Sequence, residues 1–421
     1  MSRRILLVLG LLMVMAGLTA AQPVDGDLIV SNIYEPNPST AYGGFTAIVA
    51  SNGSWTTLAG PIAASAYSHN WVRMAANNTD VVIGGFNTTT FADGLLFSAT
   101  PGGTLTTLTK LPGTYPNGFA LDGDGNWIIC GSSTMWSFDD SSLTLKTLFT
   151  HAGPLNEMTI DRDPGAPHFV IAIYSDTTLT TPTAKLFGAN ATGITTTIVL
   201  GVQEPLKRAS GVELDPRTGH YLVCDFNAPQ VSVVNKAGAV VSSLTVASAN
   251  GAAVNRDGTA WVCGTTNLAL VDLVNPSVLK TLPITNPVRF AGSAVEVYGR
   301  RQLVCDSDGK TVAVYLQSRR KFDGNKAYQL ACSFGRRPSS KMPSGEFLCM
   351  AIDPLLMLSI SGNLPGIFSG FAGTTNAFGN ASAKIMVPKA VQGLGIPIFV
   401  AGVLYDKTGI QTVTNTHWFT L

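Results

Sequence analysis

The chain has 421 residues and a formal net charge of +1, and only 13% of its residues are charged, against about 25% in an average soluble protein. With no net field to attract polyanions, neither nucleic acid nor an anionic membrane surface is expected as a partner. The length suits one large repeat domain followed by a module of about 100 residues rather than a single small domain.

Met1 to Gln22 reads as a secretory signal. Arg3 and Arg4 form a basic head, Ile5 to Met15 an apolar stretch, and Thr19-Ala20-Ala21 a small-residue cleavage site. The apolar run falls short of the ~20 residues that a membrane-spanning helix needs. Residues 1–21 are therefore assigned to the signal, and the expected product is secreted or periplasmic, with no membrane insertion after cleavage.

The rest of the chain shows little helical periodicity and many short β-rich runs. A run of apolar and β-branched residues ending in a small residue recurs along it. The copies begin at Leu28, Val81, Trp127, Phe169, Tyr221, Ala260 and Gln302, and they end on Ser31, Gly84, Cys130, Ala172, Cys224, Cys263 and Cys305. Their spacing of about 40 to 53 residues is that of a four-stranded propeller blade. Before most copies stands a second motif, Asn-Gly followed by three mostly apolar residues and Asp. Asn117 to Gly125 shows it best, Ser210 to Asp215 and Asn250 to Asn255 repeat it, and Asn70 to Ala75 and Asn156 to Asp161 are looser versions. The Asp and Gly residues fit a tight hairpin between two antiparallel strands.

Such a sheet cannot bury both faces alone, whereas sheets arranged radially bury them against one another. The pattern predicts an all-β fold with a β-propeller over residues 22–325, seven blades being favoured and six the alternative. Leu28 has no first-strand motif before it, so a strand from beyond Cys305 is expected to complete its sheet, with Glu346 to Ile352 the candidate. After Arg320 the period is lost. Alternating runs at Leu355 to Ile360, Ala383 to Val387 and Ile396 to Tyr405, separated by Gly, Pro and Asn turns, predict a small β-sandwich over residues 326–421.

The units from Pro116 to Trp127 and from Ser210 to Val234 resemble repeats of the NHL, YVTN and SMP-30/gluconolactonase propeller superfamily. The resemblance covers Asp27 to Gln317 and implies a fold rather than an activity, because proteins of unrelated function share these short motifs. In SMP-30-like lactonases the residue just before the first strand of certain blades points into a central pocket, where two carboxylates and two asparagines bind a divalent cation. Carried onto this chain, those positions read Asn70, Asn117, Asn156, Ser210, Asn250 and Ala291. None is a carboxylate, and Glu157 stands one residue out of register. A hard cation needs anionic oxygens, so the resemblance implies weak Ca²⁺ binding or none, and no cofactor is expected. The other reading of these asparagines is that they hydrogen-bond the turn leading into each strand.

Two charges interrupt the innermost strands at one repeat position, Arg73 and Glu213, where Ala120, Ala253 and Ala294 stand elsewhere. Charges there are seldom buried without partners. Arg208 and Arg289 each stand two residues before a pocket position, with His69 and Tyr115 at neighbouring entrances. Together they would form a cationic, partly aromatic rim suited to a carboxylate or sugar acid, unless they are simply solvated loop residues.

Cys130, Cys224, Cys263 and Cys305 share one small-residue position, which predicts buried free thiols. Cys332 and Cys349 lie outside the repeat, and their pairing stays open. Neither a Gly-x-Ser-x-Gly elbow nor a His-Glu-x-x-His motif is present in the sequence. The function expected is a non-catalytic binding module for a small-molecule or protein ligand at the propeller face, such as a sugar acid or another small anion, and the alternative is a lactonase-like hydrolase in the same pocket.

Overall fold

The computed structural model describes residues 27–32, 46–50, 54–59, 69, 71–74, 80–86, 93–100, 104–113, 116–121, 126–139, 142–151, 155–161, 169–173, 185–199, 209–215, 217–225, 230–247, 249–255, 258–264, 267–283, 292–297, 303–307, 309–317, 324–335, 338–343, 347–376, 379–414 and 416–421. The expected signal lies outside them. The described chain is all-β apart from one α-helix, Pro354–Ile360, and one short 3-10 turn, Lys389–Val391. Among the described residues no helix is long and apolar enough to cross a membrane.

Between Leu28 and Val297 the strands form six four-stranded antiparallel sheets. The second sheet runs Trp71–Met74, Val81–Phe86, Gly94–Ala99, Leu105–Leu111, and the third Pro116–Leu121, Asn126–Gly131, Thr134–Asp139, Thr144–Thr150. The fourth runs Leu155–Ile160, Phe169–Ile173, Lys185–Asn190, Gly193–Val199, and the fifth Ala209–Leu214, Tyr221–Asp225, Gln230–Val234, Val240–Thr245. The sixth runs Gly251–Val254, Thr259–Cys263, Asn267–Asp272, Ser277–Pro283.

The first sheet is assembled from both ends of this region. Leu28–Asn32 pairs on one side with Thr46–Val49, which carries Trp55–Ala59, and on the other with Gly292–Val297. Glu346–Ile352, the candidate from the sequence, does not fill that place: Phe347–Leu348 pairs with Ser340–Lys341 in a separate hairpin. The Leu28 strand lacks a preceding first strand, and the sixth copy of that motif supplies one.

Within each sheet the residues change character from the first strand outward. The second strands are near-continuous apolar runs buried on both faces, as in Val81–Phe86 and Tyr221–Asp225. The outermost strands carry Thr, Ser and Lys and are largely exposed, as in Ser277–Pro283. In all six sheets the register shifts between the third and fourth strands. A bulge at that place twists the edge and, with Lys110, Lys146 and Lys280 on it, discourages pairing with another chain.

The apolar cores lie between sheets. Ile29 and Ile48 of the first sheet pack with Val72, Ile83 and Phe97 of the second, and Val82 and Leu96 with Phe119, Trp127 and Trp136 of the third. Ile128 and Met135 pack with Leu155 and Met158 of the fourth, and Val170 and Leu186 with Val212 and Tyr221 of the fifth. Leu222 and Val231 pack with Ala252 and Val262 of the sixth, and Ala253 and Leu268 pack with Leu28 and Val30 of the first. The first strands follow the same order, each on the next, with Gly292–Val297 against both Gly251–Val254 and Trp71–Met74.

The seventh copy of the repeated run takes a different place. Leu303–Ser307 pairs with Thr311–Gln317, which pairs with Asn380–Met386. This moves residues 303–317 out of the repeat region, where a boundary at 325 puts them, and into the C-terminal sheets. A second sheet, of Ala327–Ser333, Ala372–Thr374, Pro397–Asp406, Gly409–Val413 and His417–Thr420, shares one core with it through Leu303, Val314, Leu330, Ile385, Val400 and Phe419. Asp353 caps the helix by accepting from Leu356 N at 2.8 Å, and Ser359 Oγ accepts from Cys332 N at 2.9 Å, which seats the helix on the Ala327–Ser333 strand.

The C-terminal part touches the fifth sheet. Ser339 Oγ donates to Arg217 O at 3.1 Å, and the Arg217 guanidinium lies 5.2 Å from the centre of the Phe347 ring.

All six cysteines are free and buried. Cys305 sits in the C-terminal core with Cys332 rather than in the repeat. Burial pushes the Cys130, Cys224, Cys263, Cys305 and Cys332 thiols up, which keeps them neutral. Alkylation of unreduced, denatured protein followed by mass spectrometry should find six modified cysteines. A disulfide between any two would contradict this arrangement.

Candidate functional site

The candidate residues lie on the first strands, and most of them sit in β-bulges. In the third sheet Pro116 pairs with Gly131 but Gly118 with Cys130. In the fourth Leu155 pairs with Ile173 and Met158 with Ile171, and in the fifth Ala209 pairs with Asp225 and Gly211 with Cys224. A bulge leaves one residue without a ladder partner, and here its side chain serves the next sheet. Asn117 Nδ2 donates to Leu155 O at 2.6 Å, and Asn156 Nδ2 to Ala209 O at 3.1 Å. Ser210 Oγ lies 2.9 Å from Ala249 O and 3.2 Å from Cys224 O. Each acceptor in the next sheet precedes that sheet's own candidate residue, Asn156, Ser210 or Asn250. Apart from the Ser210–Cys224 contact within the fifth sheet, the bonds run between sheets, not back to the turn of the same strand. Asn250 is buried, and its N–H donates to Cys263 O at 2.8 Å.

The residue after each bulge must let the neighbouring strand approach. A Cβ on Gly118 would stand 2.6 Å from Glu157 Cα and 3.1 Å from Asn156 O. One on Gly211 would meet Asn250 O, and Glu157 Oε2 at 2.5 Å. The Asn-Gly motif is thus an inter-sheet contact as well as a strand entrance. In the fourth sheet Glu157 takes the glycine's place, and its carboxyl lies against the backbone of Gly211.

Glu157 completes a buried ionic cluster. Arg73 Nη2, on the second sheet, donates to Glu157 Oε1 at 2.8 Å and to Glu213 Oε2, on the fifth, at 3.3 Å. The Arg73 and Glu157 side chains are 8% and 1% exposed, and that of Glu213 is 17% exposed. The arginine reaches past the third sheet, which presents only Ala120 at this register. In the fourth sheet the same register holds Thr159, whose Oγ1 accepts from Leu214 N at 3.3 Å.

The Glu157 carboxyl is pushed up to about 8: burial is the main cause, the Arg73 guanidinium opposes it, the Glu213 charge adds to it, and the Val212 backbone N–H opposes it slightly. At neutral pH Glu157 is mainly the neutral acid, Oε1 accepts from Arg73, and the cluster carries one guanidinium and one carboxylate. Glu157 Oε2 has no hydrogen-bond partner among the described residues. Around the cluster stand Cys130, Cys224 and Cys263 as neutral thiols. Cys130 Sγ donates to Asn156 O and lies 3.4 Å from Gly118 O.

The structure therefore brings Arg73 and Glu213 together, and ties Asn117, Asn156 and Ser210 into inter-sheet bonds. Asn70, Arg208 and Arg289, with Tyr115 and Ala291, lie outside the described residues. His69 is not a rim residue: it is fully buried, its Nδ1 lies 3.0 Å from Thr46 Oγ1, and burial lowers its ring to about 4. The entrance of the second sheet is packed inward, beside Phe97. Sequence reasoning missed Glu157 as a partner, although an acid at the motif's glycine position is the available signal. Among the described residues no three His, Cys, Asp or Glu side chains are grouped to hold a metal ion.

No protein-family model matches the chain, and no curated protein matches it.

Two substitutions test this geometry. Gly118→Ala forces a methyl against neighbouring backbone and should cost about 1–3 kcal/mol of stability by denaturant unfolding. Arg73→Met leaves two carboxyls without their cation and should cost about 3–5 kcal/mol, while the triple variant with Glu157→Gln and Glu213→Gln should recover part of the loss. An Arg73→Met protein as stable as the original would refute the pairing.

Proposed function

We propose that the six sheets are the blades of a six-bladed β-propeller, sealed by Gly292–Val297 on Leu28–Asn32, and that the C-terminal sheets form a small β-sandwich beside it. The order of the first strands and the sharing of each core by consecutive sheets support this reading. The kinship is with the NHL, YVTN and SMP-30 propellers that the repeats resemble, and the protein is exported.

Its function on this reading is non-catalytic binding of a small anionic ligand, such as a sugar acid, at the mouth where the inner strands begin. The observation that carries it is the state of the two carboxyls at the axis. Glu157 is neutral and held by Arg73, and Glu213 shares the same guanidinium. A neutral Glu157 supplies no anionic oxygen for a hard cation or a general base, and the Glu213 carboxylate is already paired with Arg73. Arg208 and Arg289, each two residues before a pocket position in the sequence, are the candidate cations for such a ligand.

Calorimetry with hexuronic and aldonic acids, with Ca²⁺, and a lactone-hydrolysis assay separate the alternatives. Arg208→Ala or Arg289→Ala should weaken acid binding by roughly 1.5–3 kcal/mol, the range for hydrogen bonds to charged groups. Ca²⁺ should give no heat. Metal-dependent lactone turnover would overturn this function in favour of a hydrolase.

A further inference from the structure

The Arg73–Glu157–Glu213 cluster joins strands that are 84 and 140 residues from Arg73 in the chain. Its members belong to the second, fourth and fifth sheets, so one guanidinium ties the first strand of the second sheet to those of the fourth and fifth, which also pack on each other. The carboxyl at its centre is 1% exposed, has one oxygen without a partner among the described residues, and lies in a place built for glycine.

We propose that this cluster is a proton-dependent tie: it holds the Trp71–Met74, Leu155–Ile160 and Ala209–Leu214 strands together while Glu157 is neutral, and loosens them when Glu157 ionises.

The physical reason is the dielectric setting. A neutral Glu157 leaves Arg73 and Glu213 as one balanced pair. Ionisation adds a second buried carboxylate beside one guanidinium, and the Val212 backbone N–H is the one further donor that favours its charged form. The surroundings offer little relief. The strands packed about it present Arg73, Glu213 and the thiols Cys130, Cys224 and Cys263, with Asp225 next to Cys224. Arg73 is the only cation in that set, and the thiols are neutral.

The sign follows from linkage. The folded carboxyl titrates at about 8 and the ordinary glutamate value is 4.5. Glu157's contribution is complete at pH below the ordinary value and is lost as pH rises through the interval up to about 8. Inside that interval the unfolded chain has released a proton that the folded one keeps, and the folded-to-unfolded ratio falls by up to tenfold per pH unit.

Carbon-13 NMR of protein labelled at glutamate carboxyls, together with hydrogen exchange corrected for intrinsic rates, tests the tie directly. One carboxyl should titrate with a midpoint near 8 and vanish from the spectrum of Glu157→Gln. Protection of the three first strands should fall at least tenfold between pH 6.5 and 9.5 in the original protein and stay level in Glu157→Gln, which mimics the neutral acid. Glu213→Gln, which removes the like charge, should move the midpoint down. A Glu157 carboxyl titrating in the ordinary range, or a loss of protection that persists in Glu157→Gln, would overturn the proposal.

Discussion

Everything near the centre of this protein depends on how closely two first strands can approach. A pleated strand carries a side chain on each face, and a neighbouring backbone cannot come within van der Waals distance unless one of those side chains is removed. Gly118 and Gly211 remove it. The bulge just before each glycine turns a polar side chain toward the next sheet, where it satisfies a carbonyl that the close approach would strand away from water. Close approach and polar satisfaction are therefore one device, repeated from sheet to sheet as Asn117 to Leu155, Asn156 to Ala209 and Ser210 to Ala249. Asparagine and serine serve equally, because what matters is a short donor that reaches one carbonyl.

The buried ionic cluster is a departure from that device. Where the fourth sheet puts Glu157 in the glycine place, the neighbouring Gly211 still gives up its side chain, and the space is shared by the Glu157 carboxyl and the backbone of Asn250 and Gly251. A carboxyl at that depth is costly when charged, and the protein offsets this by keeping it protonated and by sending Arg73 across to it. The arginine's second bond, to Glu213, supplies the counter-charge it needs. Each of the three residues is thus acceptable only because of the other two, the behaviour expected of a buried polar network.

Much of this was legible in the sequence, and the exceptions have physical causes. The second strands announce themselves because burial on both faces demands unbroken apolar runs, as at Trp127–Gly131 and Tyr221–Asp225. The charges at Arg73 and Glu213 stand out for the same reason. Their common partner does not, since the Asn156-Glu157 pair looks like a degenerate motif until the adjacent glycine is known to be a steric requirement. The asparagines were visible as a ring of polar residues, but a motif shared with metal-binding propellers could not tell an inter-sheet bond from a ligand. Arg208 and Arg289 keep the standing that sequence alone gives them.

The Gln302–Cys305 run is the most instructive misreading. Its apolar residues and terminal small residue match the six preceding copies, and local pattern alone makes it a seventh. Strand identity is set by partners, however, and the partner that copy requires, Gly292–Val297, is already paired with Leu28–Asn32. Consecutive sheets each share one core, and the first and sixth share one through Leu28, Val30, Ala253 and Leu268. The surplus strand keeps its apolar face and finds a different surface to cover, pairing with Thr311–Gln317 and packing Leu303 and Cys305 beside Leu330 and Cys332. The repeated run thus occurs once more after the six sheets, and that strand joins the C-terminal sheets. A period in a sequence marks the strands that a chain can make, whereas pairing between distant segments, as between Leu28 and Val297, 269 residues apart, decides which sheet each strand joins.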